Sequence, residues 1–111
     1  MSRNIDGNVV LVTELKYKHL ADLVTLLELR RSWYDLGKII FHNDNEAKDD
    51  LDIFENASAS PAIRFMESLV KRLPDITINK LYGIALQLKR CDVTKYIESL
   101  GKDYPSVYSH I

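Results

Sequence analysis

Two amphipathic stretches separated by a very short turn, in residues 77–100, most constrain the fold of this chain. In the first stretch the apolar positions recur at i, i+3, i+4 and i+7: Leu81, Ile84, Ala85 and Leu88. The second stretch repeats that spacing: Val93, Tyr96, Ile97 and Leu100. Each stripe predicts a helix that buries one face. Thr77 and Asp92 are the predicted N-caps, because their side chains accept backbone N–H bonds.

Four further helices are predicted upstream. The first runs from Thr13, its expected N-cap, to Arg30, and the second begins at Ser32. Residues 42–50 are polar and predict a loop, followed by a short third helix around Leu51, Ile53 and Phe54. The fourth runs from Pro61 to about Leu73, with Ser60 as its cap, because proline is favoured at the first position of a helix. The β-prone run from Val9 to Val12 is expected to pack on the core as an extended arm or an early helical turn.

Three segments of the chain together resemble the death-domain family. The closing pair matches its pattern L-x2-a-L-x2-I-x-R-x-D-I/V, with Arg90, Asp92 and Val93 in place and Ala85 where the family has a larger aliphatic residue. Residues 33–37, WYDLG, resemble its W-x-x-L-A/G. The fourth-helix stretch from Ser60 to Leu73 resembles its S-P-x-x-x-L-L-x-x-W segment but lacks the tryptophan.

This resemblance implies an all-α, six-helix antiparallel bundle with Greek-key topology over residues 13–101. Residues 1–12 would form an N-terminal arm and residues 102–111 a C-terminal tail. The expected core residues are Trp33, Leu36, Leu69, Leu81, Leu88, Val93 and Ile97. The implied function is homotypic assembly with other death-fold proteins, or with copies of itself, in cytoplasmic immune or apoptotic signalling. The family carries no catalysis and no cofactor.

The composition favours the same class of protein. A chain of 111 residues with a net charge of −1 predicts one domain and argues against a dedicated nucleic-acid binder. A single cysteine excludes an internal disulfide and fits a reducing compartment. No signal peptide or membrane span is expected. His19, His42 and His110 lack metal-ligand spacing, and Cys91 is interpreted as a turn residue, so no enzyme is predicted.

Charge is unevenly distributed along the chain. Residues 44–55 carry six carboxylates against one lysine, a net charge of −5, and residues 64–95 carry a net charge of +4. The predicted acidic partner-binding residues are Asp44, Glu46, Asp49, Asp50, Asp52 and Glu55. The predicted basic ones are Lys71, Arg72, Lys89 and Arg90, which we expect to form one surface away from the acidic run. Surfaces of opposite sign suit head-to-tail association.

Two alternatives stay open at this point. The closing pair also resembles a helix-turn-helix, which would make the chain a small DNA-binding domain. Against this, the second helix of the pair carries only Lys95 as a basic side chain. The other alternative is a structural domain with no partner of its own kind.

Overall fold

The computed structural model describes residues 10–57 and 59–104, and helices make up most of this part of the chain. The α-helices are α1 (Tyr17–Glu28), α2 (Ser32–Ile40), α3 (Asn45–Ala57), α4 (Pro61–Arg72), α5 (Ile78–Gln87) and α6 (Cys91–Ser99). Short 3₁₀ turns occupy Val12–Glu14, Leu29–Arg31 and Leu100–Lys102. No β-strand occurs in the described ranges, so the all-α prediction is confirmed. The Greek-key topology stays a prediction.

The helices pack around α4 and Trp33. Helix α4 contacts α1, α2 and α3, while α6 packs against α5 and α1. Trp33 is 1% exposed and is the largest of the fully buried side chains. The other expected core residues that are buried are Leu36, Leu69, Leu81, Val93 and Ile97. Leu88 is only partly buried, because α5 ends at Gln87 and Leu88 already belongs to the turn.

The first helix begins later than predicted, at Tyr17 rather than after Thr13. Thr13 lies inside a 3₁₀ turn in which the Glu14 carboxylate accepts the Leu11 N–H at 2.8 Å. Leu15 then has an extended backbone (ψ 142°), which separates this turn from α1. The proposed Thr13 cap is therefore wrong.

The N-terminal arm makes backbone hydrogen bonds with a segment that is distant in sequence. Leu11 forms an isolated antiparallel bridge with Thr77. The Val12 N–H donates to the Ile76 carbonyl at 3.0 Å, and the Ile78 N–H donates to the Val10 carbonyl at 2.9 Å. The arm is thus tied to the segment that leads into α5. Val9 and the rest of residues 1–9 lie outside the described residues.

Helix α3 is longer than the sequence pattern predicted, because residues 45–50 are helical and not a loop. The Asp44 carboxylate accepts the Ala47 N–H at 3.0 Å and so caps the first turn. Ala47 and Leu51 are buried, and Phe54, seven residues after Ala47, packs against the same core. The polar residues are therefore the outward face of an amphipathic helix.

The turn between α5 and α6 is built by Lys89. It adopts φ 59°, and the Arg90 N–H donates to the Ala85 carbonyl at 2.9 Å, in the Schellman arrangement that ends many helices. Thr77 caps α5 as predicted, accepting the Lys80 N–H at 3.0 Å. The predicted Asp92 cap is wrong. The short Schellman turn lets α6 begin at Cys91, so Asp92 lies inside the helix with Arg90 at the N-cap.

Helix α4 is capped by a residue from another helix. Ser60 makes no capping bond. Instead, the Glu28 carboxylate at the end of α1 accepts the Ala62 N–H at 3.3 Å, and it also accepts the Ser60 hydroxyl. A carboxylate at this position complements the positive end of the helix dipole.

We expect Glu28→Ala to lower the free energy of unfolding by about 1–2 kcal/mol, because the start of α4 loses its acceptor and its dipole partner. Urea denaturation would measure the change. Ser60→Ala is the matched control and should have the smaller effect, since the Ser60 hydroxyl contacts only the same carboxylate. An equal or larger loss in Ser60→Ala would show that Ser60 is the cap.

Candidate interaction surface

The outward side of α3 carries an acidic face with an apolar centre. Ile53 is 58% exposed, and Asp49 and Asp52 beside it on the helix are also exposed. The Asp49 side chain makes no hydrogen bond or ion pair with any described residue. We call Asp49, Asp52 and Ile53 the acidic face. An exposed aliphatic residue within a charged rim is the composition typical of a protein interface.

Not all of the acidic run belongs to this face. Three of its carboxylates surround Arg72 at the end of α4: Asp44 at 3.3 Å, Glu46 at 3.4 Å and Asp50 at 3.1 Å. Burial lowers the pKa of Arg72, but its bond to Asp50 and the nearby carboxylate charges outweigh this and leave the pKa raised. The expectation that the acidic run lies away from Lys71 and Arg72 is therefore wrong. The start of α3 packs beside the end of α4 and brings the two together.

The four basic residues predicted to form one surface are also separated. Arg90 donates to the Leu29 carbonyl at 3.1 Å, at the end of the molecule where Glu28 caps the start of α4. Arg72 ends the same helix, and its 12 residues span about 18 Å. Lys71 and Arg72 therefore lie at the opposite end of α4 from Arg90.

At the Arg90 end, a second set of basic residues surrounds an exposed leucine. Leu29 is 51% exposed and lies in the connection between α1 and α2, next to Arg30. Leu29, Arg30, Lys89 and Arg90 together line a surface depression of about 500 Å³, and Cys91 and Asp92 complete its lining. We call these four residues the basic end.

Arg90 holds the two connections of the basic end together. Besides its bond to Leu29, it pairs with the Asp92 carboxylate at 2.7 Å. This Arg90 hydrogen bond is the main reason why the pKa of Asp92 lies below its usual value. Both partners of Arg90 are thus within the molecule. The Lys89 side chain is exposed to solvent and makes no ion pair among residues 10–57 and 59–104.

Tyr34 links the acidic face to Arg31 in the connection between α1 and α2. Its hydroxyl donates to Asp52 at 2.8 Å, and this bond is the main reason that its pKa is raised. The Arg31 guanidinium lies 4.3 Å from the Tyr34 ring centroid and pairs with Glu55 on α3. No partner-binding role was predicted for Leu29, Arg30 or Arg31. Two consecutive arginines at the end of a predicted helix were the available signal.

The histidines take structural positions where they are described. His19 is buried on α1, with Nδ1 3.0 Å from the Tyr104 hydroxyl and Nε2 3.3 Å from Asp103. Tyr96 beside it donates to Asp22, and burial together with that bond raises its pKa to about 12. These contacts attach residues 103 and 104 to α1. His110 lies outside the described residues.

Comparison with known proteins adds no relative. No protein-family model, curated protein or solved structure matches the chain. Across the described ranges, no group of His, Cys, Asp and Glu side chains is placed to hold a metal ion. No helix there has both the length and the apolar character needed to cross a bilayer. The death-domain resemblance thus depends on the residues that carry it.

Proposed function

We propose that the chain is a non-enzymatic interaction module of the death-domain type, with Greek-key helix topology, that assembles with death-fold domains, copies of itself included, in cytoplasmic immune or apoptotic signalling. One observation carries the proposal: among the exposed aliphatic residues of the described ranges, Ile53 lies beside the carboxylates Asp49 and Asp52, and Leu29 lines a depression together with Arg30, Lys89 and Arg90. The signs are opposite, as surfaces that recognise each other require.

Features of the fold support the death-domain part of this proposal. The Trp33 side chain fills the core from the start of α2, as the W-x-x-L-A/G pattern implies. The closing pair is two helices joined by a tight turn, with Thr77 as the cap of the first. Arg90 and Asp92, which belong to the matched pattern, pair with each other in that turn.

The test is self-association of the full chain, measured by sedimentation velocity over a range of concentrations at low and high salt. We expect the wild type to associate more weakly in high salt, because exposed charges are screened. Asp49→Lys should reduce association and leave the monomer folded, since Asp49 makes no internal contact that the structure describes. Asp75→Lys is the control, an exposed carboxylate outside both surfaces that should change little. Asp49→Lys associating like the wild type would contradict the role of the acidic face.

The helix-turn-helix alternative has weaker support from the geometry. The α5–α6 turn is basic, but Arg90 is already paired with Asp92 and with the Leu29 carbonyl. A recognition helix needs free side chains for base edges and phosphates, and α6 offers Lys95 as its only basic side chain. Salt-dependent binding of labelled duplex DNA would favour this alternative over the interaction module.

A further inference from the structure

Among the residues that the structure describes, three other than glycine adopt the left-handed conformation, and all three lie at or beside the basic end. Arg30 and Arg31 follow each other with φ 55° each, and Lys89 has φ 59°. A side chain with a Cβ is disfavoured in this conformation, which glycine adopts without steric cost. Such strained residues cluster at functional sites. Each of these side chains is therefore expected to make a contribution that offsets the steric cost of its backbone conformation.

Arg31 has a structural reason to be an arginine. It stacks over Tyr34 and pairs with Glu55, so its side chain connects the α1–α2 turn to α3. Arg30 and Lys89 have no such contact: both are exposed, and within the described ranges neither side chain makes a hydrogen bond or ion pair. Glycine at these two positions would relieve the backbone strain. Apart from the modest attraction of a cation to a helix C-terminus, no contact within the described ranges accounts for the two cations.

The two cations line the same depression as the exposed Leu29. Arg30 follows Leu29 directly, and Lys89 precedes Arg90, whose guanidinium binds the Leu29 carbonyl at 3.1 Å. This bond ties the α1–α2 connection to the α5–α6 turn. The exposed Leu29 side chain and the two free cations therefore keep a defined relation to each other, as a docking surface requires.

We infer that the basic end is a docking surface for the acidic face of a second copy of this chain. The inference rests on the proposed function and deepens it. Arg30 and Lys89 match the charge of Asp49 and Asp52, and Leu29 matches the exposed Ile53, so both charge and apolar area are complementary. Because the two surfaces differ, the contact is heterologous and leaves one free surface of each kind on a dimer.

The test uses substitutions that should move stability and association in opposite directions. Arg30→Gly with Lys89→Gly should lower the unfolding equilibrium constant, by about fivefold for each strain that is relieved, and so raise the urea midpoint. The same variant should associate at least about tenfold more weakly in sedimentation velocity, because it loses two interfacial cations. A merely destabilised variant would not show this combination.

Two controls separate the strain from the charge. Arg30→Gln with Lys89→Gln keeps the strained backbone with its Cβ atoms, so it should lose association without gaining stability. Arg31→Gly should gain little or nothing in stability, because it gives up the Tyr34 and Glu55 contacts.

The failures of the two proposals are distinguishable. If the wild type self-associates and both double variants associate equally well, the basic end is not the docking surface, although the interaction module stands. A wild type that stays monomeric at every concentration overturns the docking of a second copy, and binding to other death-fold domains then decides the proposed function. A glycine variant with no gain in stability would contradict the strain on which the inference depends.

Discussion

Trp33→Ala should lower the free energy of unfolding by about 3–5 kcal/mol, which is a large part of the stability of a domain this size. Trp33 is 1% exposed, at the start of α2, and its ring packs edge-on against Tyr34 at a centroid distance of 5.5 Å. Removing the indole leaves a cavity where α2 meets the rest of the core, which the surrounding helices only partly refill. Urea denaturation followed by circular dichroism measures the loss.

Asp35→Ala is the matched control for that variant, because Asp35 is exposed on the same helix. It should change the free energy of unfolding by no more than about 0.5 kcal/mol, as surface substitutions usually do. A Trp33→Ala variant with the urea midpoint of the wild type would show that the indole does not fill the core.

Gly37→Val should lower the free energy of unfolding by about 1–3 kcal/mol through overpacking. Helix α2 lies close to α3 and α4 at this glycine: an added Cβ would lie 2.9 Å from Leu51 Cδ2 and 3.2 Å from Phe65 Cε1. Leu51 and Phe65 are both fully buried, so their side chains have little free space into which to move. Thermal and urea unfolding would both report the change.

Gly83→Val, on α5, is the control for Gly37→Val, because Gly83 has free space around it. An added Cβ there meets no atom within 4 Å. Valine is a somewhat better helix former than glycine, so this variant should be neutral or gain a few tenths of a kcal/mol. Similar losses at both glycines would mean that the close approach of α2 to α3 and α4 does not decide the effect at Gly37.

Local pattern was enough to predict the helices with strong apolar stripes. Ser32 as the start of α2, Pro61 as the start of α4 and Thr77 as the cap of α5 follow from residues within one or two turns. Burial of Trp33 followed from the same stripes. These features depend on contacts that are close in sequence.

The features that the sequence did not predict depend on partners far away along the chain. Glu28 caps a helix that begins 33 residues later, since its carboxylate accepts the Ala62 N–H. The apolar stripe of α3 is short and lies among many polar residues, so the sequence pattern did not reveal it. The contact of α3 with α4 shows which side of the helix is buried. Lys71 and Arg72 lie at the opposite end of α4 from Arg90, and this distance follows only from the direction of α4 in the fold. Pattern alone contains none of this.

The strained arginines explain why sequence analysis identified only Lys89 and Arg90 of the proposed docking surface. A basic pair at the end of a predicted helix reads as a favourable partner for the helix dipole. Only the structure shows that Arg30 and Arg31 have a left-handed backbone, a conformation that glycine adopts without steric cost. Lys89 was predicted as a partner-binding residue, but its left-handed backbone likewise becomes visible only in the fold.

The most direct test of the central claim, that two different surfaces of this chain bind each other, is a mixing experiment. One variant carries Arg30→Glu with Lys89→Glu and keeps the acidic face; the other carries Asp49→Lys with Ile53→Ser and keeps the basic end. Each alone should stay folded and monomeric in sedimentation velocity, and the equimolar mixture should form a 1:1 dimer and nothing larger, because each variant has one intact surface. A mixture that stays monomeric while the wild type associates would contradict the account, and so would either variant associating alone as the wild type does.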